Sequence, residues 1–125
     1  MIEPNRKISM ALKSRHKGLK IIGFPRLAGL MLGDYARQSG VDAIGLDTVT
    51  SLAAARSICP AGTVFQGNLD PLLLKLGGKA MEEAVNALLD DVRGHPHILN
   101  LGHGITPDVP QAHVARLVEL VRQRK

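Results

Sequence analysis

The sequence predicts an α/β fold built on a parallel sheet, and three observations carry that expectation. The core must be filled almost without rings, because 45% of the residues are hydrophobic and only 2% aromatic. That leaves Leu, Ile, Val, Ala and Met, the usual fillings of helix-covered parallel sheets. Short apolar runs alternate with longer stretches whose apolar residues recur at helical spacing, the pattern of successive βα units. Capping residues and glycines fall between them. A chain of 125 residues is sized for one domain, taken as 1–125, and can bury a core without a staple.

The elements follow in order. NRKISMALKSRH sets Ile8, Ala11 and Leu12 in helical phase and predicts a leading helix. KIIGF (20–24) is the first strand, and LAGLMLGDYARQSG (27–40) is a helix with Leu27, Leu30, Met31 and Tyr35 in phase, stopped by Gly40. DAIGLD (42–47) is the second strand, followed by an alanine-rich helix, TSLAAARSI, that Thr50 or Ser51 can cap. TVFQGN (63–68) is the third strand. After the connection LDPLLLKLGG, a helix in KAMEEAVNALLDDVRG aligns Met81, Ala84, Val85, Leu88, Leu89 and Val92 on one face. HILNLG (97–102) is the fourth strand, and ITPDVPQ starts a last helix whose stripe is Val114, Leu117, Val118 and Val121 and whose end is the basic RQRK. Alternation of this kind implies right-handed crossovers. It fits either an open doubly wound sheet or a segment of a (β/α) barrel, and the pattern alone leaves both open.

Charge and cysteine content narrow the function classes. The formal charge of +5 is local: residues 1–20 carry six Lys or Arg against Glu3, while the rest balances at ten against ten. A solvated basic helix explains this better than a nucleic-acid or membrane arm, since no stacking aromatics accompany it. One cysteine, Cys59, rules out an internal disulfide and a Cys-rich zinc site, which fits a reducing cytoplasm. His16, His95, His97 and His113 form no HExxH or i, i+4 pair, so no metal site is expected and they read as surface or helix-end residues. The first twenty residues lack the apolar stretch of a signal peptide, and no run is long enough to span a membrane.

In either architecture chemistry gathers at the carboxyl ends of the strands. There the sequence places Pro25 and Arg26, then Asp47 and Thr48, then Gln66, Asn68 and Asp70, then Asn100 and His103. Such a rim suits a polar or anionic ligand. Arg26 offers a cationic fork for carboxylate or phosphate, or a salt bridge. Asp47 can cap a helix, and Asp70 before Pro71 can initiate a turn. His103 stands between two glycines in NLGHGI, either exposed for reaction or held in a turn that needs glycine dihedrals. No GxGxxG or GxxxxGK[ST] follows a strand, which argues against a nucleotide loop.

GFPRLAG, GVDAIGLDT, QGNLDP and NLGHGITP, in that order on successive strand ends, make the chain resemble the carboxyl-terminal half of uroporphyrinogen decarboxylase from about residue 5 onward. One departure is Thr48, where many members of that family have Trp after GLD. The resemblance implies the last four units of a (β/α)8 TIM barrel, preceded by one helix, and a homodimeric, cofactor-independent decarboxylase. That enzyme converts uroporphyrinogen to coproporphyrinogen in haem biosynthesis. It carries His103 over as the catalytic residue, touching a substrate carboxylate or assisting proton transfer. Arg26, Asp47, Gln66, Asn68 and Asn100 are then candidates for substrate binding. The family's pyrrole-binding aspartate, carboxylate-binding arginines and tyrosine belong to the amino-terminal half, and neither Asp47 nor Asp70 replaces that aspartate. Four βα units are half of eight, and 125 residues about half of a typical barrel of ~250. Exposed strand edges then call for a partner: a second copy closing the barrel, or a chain carrying the other half. The chain is expected to be a poor decarboxylase alone, with a tetrapyrrole-binding module and a split-enzyme subunit as alternatives.

Overall fold

The computed structural model describes residues 1–124; Lys125, the last of the basic RQRK, lies outside the described residues. A leading helix α1 (Ile2–Arg15) precedes β1 (Ile22–Gly23), a 3-10 turn (Gly29–Met31) and α2 (Leu32–Gln38). Then come β2 (Ala43–Gly45), α3 (Leu52–Ile58), β3 (Val64–Leu69), α4 (Pro71–Leu76), α5 (Gly78–Asp91), β4 (His97–Leu101) and α6 (Gln111–Gln123). The four strands form one parallel sheet in the order β1-β2-β3-β4.

That order decides between the two architectures. A doubly wound sheet reverses direction at a switch point and so carries helices on both faces. Here every crossover steps to the next strand in the same direction, and right-handed crossovers of that kind put all helices on one side. The fold is therefore α/β of the barrel type, four βα units of a (β/α)8 barrel behind one helix.

The two faces of the sheet separate cleanly by register. Ile44 pairs with Phe65 and Phe65 with His97, and this face meets the helices. One buried cluster joins Leu32, Tyr35, Ile44, Leu46, Leu52, Ala55, Cys59 and Phe65. A second joins Leu69 of β3 to Leu74, Met81, Val85, Leu117 and Leu120 of α4, α5 and α6. The opposite face is open and arranged in layers. Ile22, Ala43, Val64 and Ile98 line a depression near the amino ends of the strands. One layer up, Phe24 lies over Gly45, where a Cβ would stand 2.9 Å from its ring; Gly45 is level with Gln66, and Asn100 stands higher still, level with Asn68. Among the described residues the outer edges of β1, two residues long, and β4, five residues long, pair with no strand.

Local chemistry explains the element ends. Ser51, one of the two expected caps, accepts the Ala54 amide at 3.1 Å and starts α3. Asp70 accepts the Leu72 amide at 2.9 Å with Pro71 in the first turn, so the expected turn is a helix N-cap. Gly40 sits at φ +75°, the left-handed conformation that ends a helix after its last turn. At the floor of the sheet, Asp42 accepts the Ile21 amide (2.9 Å) and Lys13 (2.8 Å), tying α1 to the strands. The Lys13 hydrogen bond and the Ile21 amide lower its pKa to about 2.

Several expectations are corrected. The helix expected from residue 27 begins at Leu32, because Leu27 and Gly29 both have positive φ and break the phase; Leu27, Leu30 and Met31 are exposed, and only Tyr35 of the four is buried. The connection after β3 is helical over α4. In α1, Ile8 and Leu12 are exposed and the buried residue is Ser9; in α6, Val118 of the expected inward stripe is exposed. His97 is not a surface or helix-end residue. It lies half-buried within β4, and its Nε2 is 2.6 Å from the Gly67 carbonyl. Burial, together with the Arg56 charge, holds its imidazole below the usual histidine range against the opposing pull of that carbonyl.

Candidate functional site

The open face grades from apolar at the floor to polar at the carboxyl ends of the strands, and the candidate residues collect at that upper rim. Parallel strands bring it about, since each βα loop leaves from the same end of the sheet. A cavity of about 490 Å³ opens there, with Phe24, Gln66, Asn100, His103 and Ile105 in its wall. Gln66 is half-buried, while Asn100 and His103 are exposed. The Asn100 side chain accepts its neighbour's amide, from Leu101, at 2.8 Å. Among the described residues His103 is held only by a long contact of 3.4 Å between Nδ1 and the Gly104 carbonyl, so its imidazole is free to meet a ligand.

Arg26 is exposed at the end of β1 and forms no ion pair among the described residues. Its backbone is fixed on both sides: the Arg26 amide donates to the Phe24 carbonyl at 3.0 Å and the Leu27 amide to Asp47 Oδ2 at 2.7 Å. Asp47 itself is buried, 6% exposed, and both its oxygens are engaged, Oδ2 by Leu27 and Oδ1 by the Thr50 hydroxyl at 2.7 Å. Burial pushes this carboxyl up, but the Thr50 hydroxyl and the Leu27, Thr50 and Val49 amides outweigh it and leave the carboxylate below its ordinary range. Asn68 is half-buried and donates its amide to the Thr50 carbonyl at 2.6 Å.

The structure thus brings Gln66, Asn100 and His103 together around the cavity, with Arg26 on the neighbouring loop. Asp47 and Asn68 are not in its wall and instead bond to the β1 and β2 loops, Asp47 to Leu27 and Thr50 and Asn68 to Thr50. Asp70 is occupied in capping α4. Gly102 carries His103 onto the β2 loop: a Cβ there would lie 2.5 Å from the Thr48 nitrogen, an approach open only to glycine. The residues that sequence reasoning missed are Phe24, which covers Gly45 in the cavity wall, and Ile105; an aromatic immediately after an apolar strand was the available signal for the first. A second cavity, of about 210 Å³, lies at the other end of the sheet among Arg56, Thr63, His95 and His97. Among the described residues no group of three His, Cys, Asp or Glu is placed to hold a metal ion. No helix there is long and apolar enough to cross a membrane.

A parallel sheet stepped in one direction, with polar side chains gathered on its carboxyl rim, defines the class: a partial fold of the (β/α)-barrel type. The family model described as uroporphyrinogen decarboxylase (URO-D) matches residues 1–124, and the chain belongs to that family. It is 52% identical to the uroporphyrinogen decarboxylase of Granulibacter bethesdensis over 119 residues, 95% of this chain and 35% of that protein. The enzyme of the same name from Acidiphilium cryptum is 49% identical over 122 residues, covering 98% of this chain and 34% of its own length. For Hyphomonas neptunium the values are 50% over 122 residues, 98% and 36%. The chain therefore spans about a third of the length of the curated relatives it matches, less than the half suggested by counting βα units against a typical barrel.

Proposed function

We propose that this chain forms the carboxyl-side part of a uroporphyrinogen decarboxylase cleft, in which Arg26, Gln66 and Asn100 engage an acidic tetrapyrrole. His103 meets a substrate carboxylate or supplies the proton that replaces carbon dioxide on the acetate arm. The carrying observation is the graded open face, apolar at Ile22, Val64 and Ile98 and polar at the rim where His103 projects into the cavity. An acidic macrocycle has the matching character, an apolar ring with charged arms. Protonation by a side chain at the reacting carbon is general acid catalysis, and no part of this assignment calls on a metal or organic cofactor.

Decarboxylation by the chain alone is expected to be weak, because the family's pyrrole-binding aspartate has no counterpart among Asp47, which is bonded to loop donors, and Asp70, which caps a helix. Anaerobic assay with uroporphyrinogen tests both parts. We expect little turnover alone, and turnover that appears with the complementary part of a relative and is lost in His103→Ala. Full activity of the chain alone, or activity indifferent to His103→Ala, overturns the assignment.

The bare face and free edges support self-association in a reducing cytoplasm, with two copies setting β4 of each beside β1 of the other. Solution mass measured by light scattering is expected to be that of a dimer; a monodisperse monomer at all concentrations removes this part. A tetrapyrrole-binding module without catalysis remains the second reading, favoured by the same cavity. It predicts saturable porphyrin binding that salt weakens, with no turnover even when the complementary part is added.

A further inference from the structure

The turn from Asp47 to Ser51, between β2 and α3, touches the carboxyl ends of the other three strands or the loops that follow them. Toward β1, Asp47 Oδ2 accepts the Leu27 amide at 2.7 Å. Toward β3, the Thr50 carbonyl accepts the Asn68 side chain at 2.6 Å. Toward β4, Gly102 approaches so closely that a Cβ would meet the Thr48 nitrogen at 2.5 Å and the Asp47 carbonyl carbon at 2.8 Å. The two side chains expected to meet ligand directly, Arg26 and His103, are each one residue beyond these contacts, Arg26 before Leu27 and His103 after Gly102.

Leu27 makes the arrangement more than incidental. Its φ of 57° is in the left-handed region, which a γ-branched residue adopts only when its surroundings hold it there. The Asp47 carboxylate is the group holding its amide, from a buried position with its second oxygen fixed by Thr50. Strain of this kind at a loop that presents a guanidinium without an ion pair among the described residues is preorganisation: the orienting work is done before any ligand arrives.

We propose that Asp47 is a positioning residue: by clamping the left-handed Leu27 to the Thr48–Thr50 turn on which Gly102 rests, it sets the placement of the Arg26 guanidinium relative to His103 without touching ligand itself. The inference rests on Arg26 being a ligand contact. Loss of the clamp should therefore act through Arg26 and have little effect where Arg26 is already gone.

A double-mutant cycle on the purified chain reads this directly, with uroporphyrin as the probe and its absorbance and fluorescence as the signal. Arg26→Ala is expected to weaken binding about tenfold or more and to flatten its salt dependence. Asp47→Asn should weaken it comparably, and the double variant should be no weaker than Arg26→Ala alone. If Asp47→Asn weakens binding equally with and without Arg26, or not at all, the positioning role is overturned while the Arg26 assignment stands. If Arg26→Ala binds normally, or the unmodified chain shows no saturable binding, the ligand reading fails and takes the inference with it. Should Asp47→Asn fail to fold, the Leu27 amide proton of the unmodified chain decides by NMR. It must shift as Asp47 is protonated in acid, and an unresponsive Leu27 signal overturns the clamp.

Discussion

Ile44 and Ile98 are the same residue type in one sheet, yet Ile44 is 1% exposed and Ile98 42%. The difference is the face. Ile44 points with Phe65 into α2 and α3, where side chains from four elements interlock. Ile98 stands level with Gln66 on the opposite face, beside Ile22, which is 45% exposed, and Val64. In a free-standing sheet such residues would be covered or polar; left apolar in layers, they have the character of a barrel interior. The helix-clad face thus holds the fold together, and the bare face carries the apolar layers and the polar rim.

Substitutions on the two faces sharpen that contrast. Ile44→Ala leaves a void among rigid neighbours and is expected to cost about 2–5 kcal/mol in urea unfolding, the usual range for emptying a packed site. A cost below about 1 kcal/mol would mean the clad face is loosely packed and is not the main source of stability. An acid titration is expected to produce the next effect, in two windows. Asp42 has its pKa lowered from 3.8 to about 2, so its contribution is complete above 3.8 and disappears as pH falls toward 2. It is a partly exposed pair, and Asp42→Ala should cost about 1 kcal/mol or less at neutral pH. His97, on the clad face, has its pKa lowered below 6.5 by burial. The unfolded chain then binds the proton first, so stability is full above 6.5 and declines as pH falls from there toward the lowered value. His97→Gln should abolish that upper window, and a window unchanged by the substitution assigns it to another group. The smallest effect is expected for Ile98→Ala, under about 1 kcal/mol in the dilute chain, because little packing is lost. A loss as large as that of Ile44→Ala, growing with protein concentration, would show the bare face covered in solution.

Periodicity made the βα order legible, because apolar runs such as HILNL and the stripe of Met81 and Val85 report burial directly. It failed where the chain left regular dihedrals. Leu27, Leu30 and Met31 keep helical spacing, but Leu27 and Gly29 have positive φ and Leu30 and Met31 fall in a 3-10 turn, and spacing carries no information about that. The run PLLLKL is too short and too uniformly apolar to display a period, so a helix passed for a connection. Ile8 and Leu12 read as inward because a stripe implies a partner surface, not that the partner is present. The rim residues were readable from their places after the strands. What each does there was not: Asp47 bonds to Leu27 twenty residues earlier in the chain, and Gly102 rests on Thr48, contacts that exist only once the sheet has assembled.

The unequal outer strands give the molecule a direction. The β4 flank offers a five-residue edge, with alternate residues turning N–H and C=O outward, to an incoming strand and the β1 flank an edge of two residues, so the first is a template and the second nearly blunt. Unwanted growth in crowded solution would be seeded at the β4 side, and a proline or lysine introduced along HILNL should quieten it more than any change near Ile22.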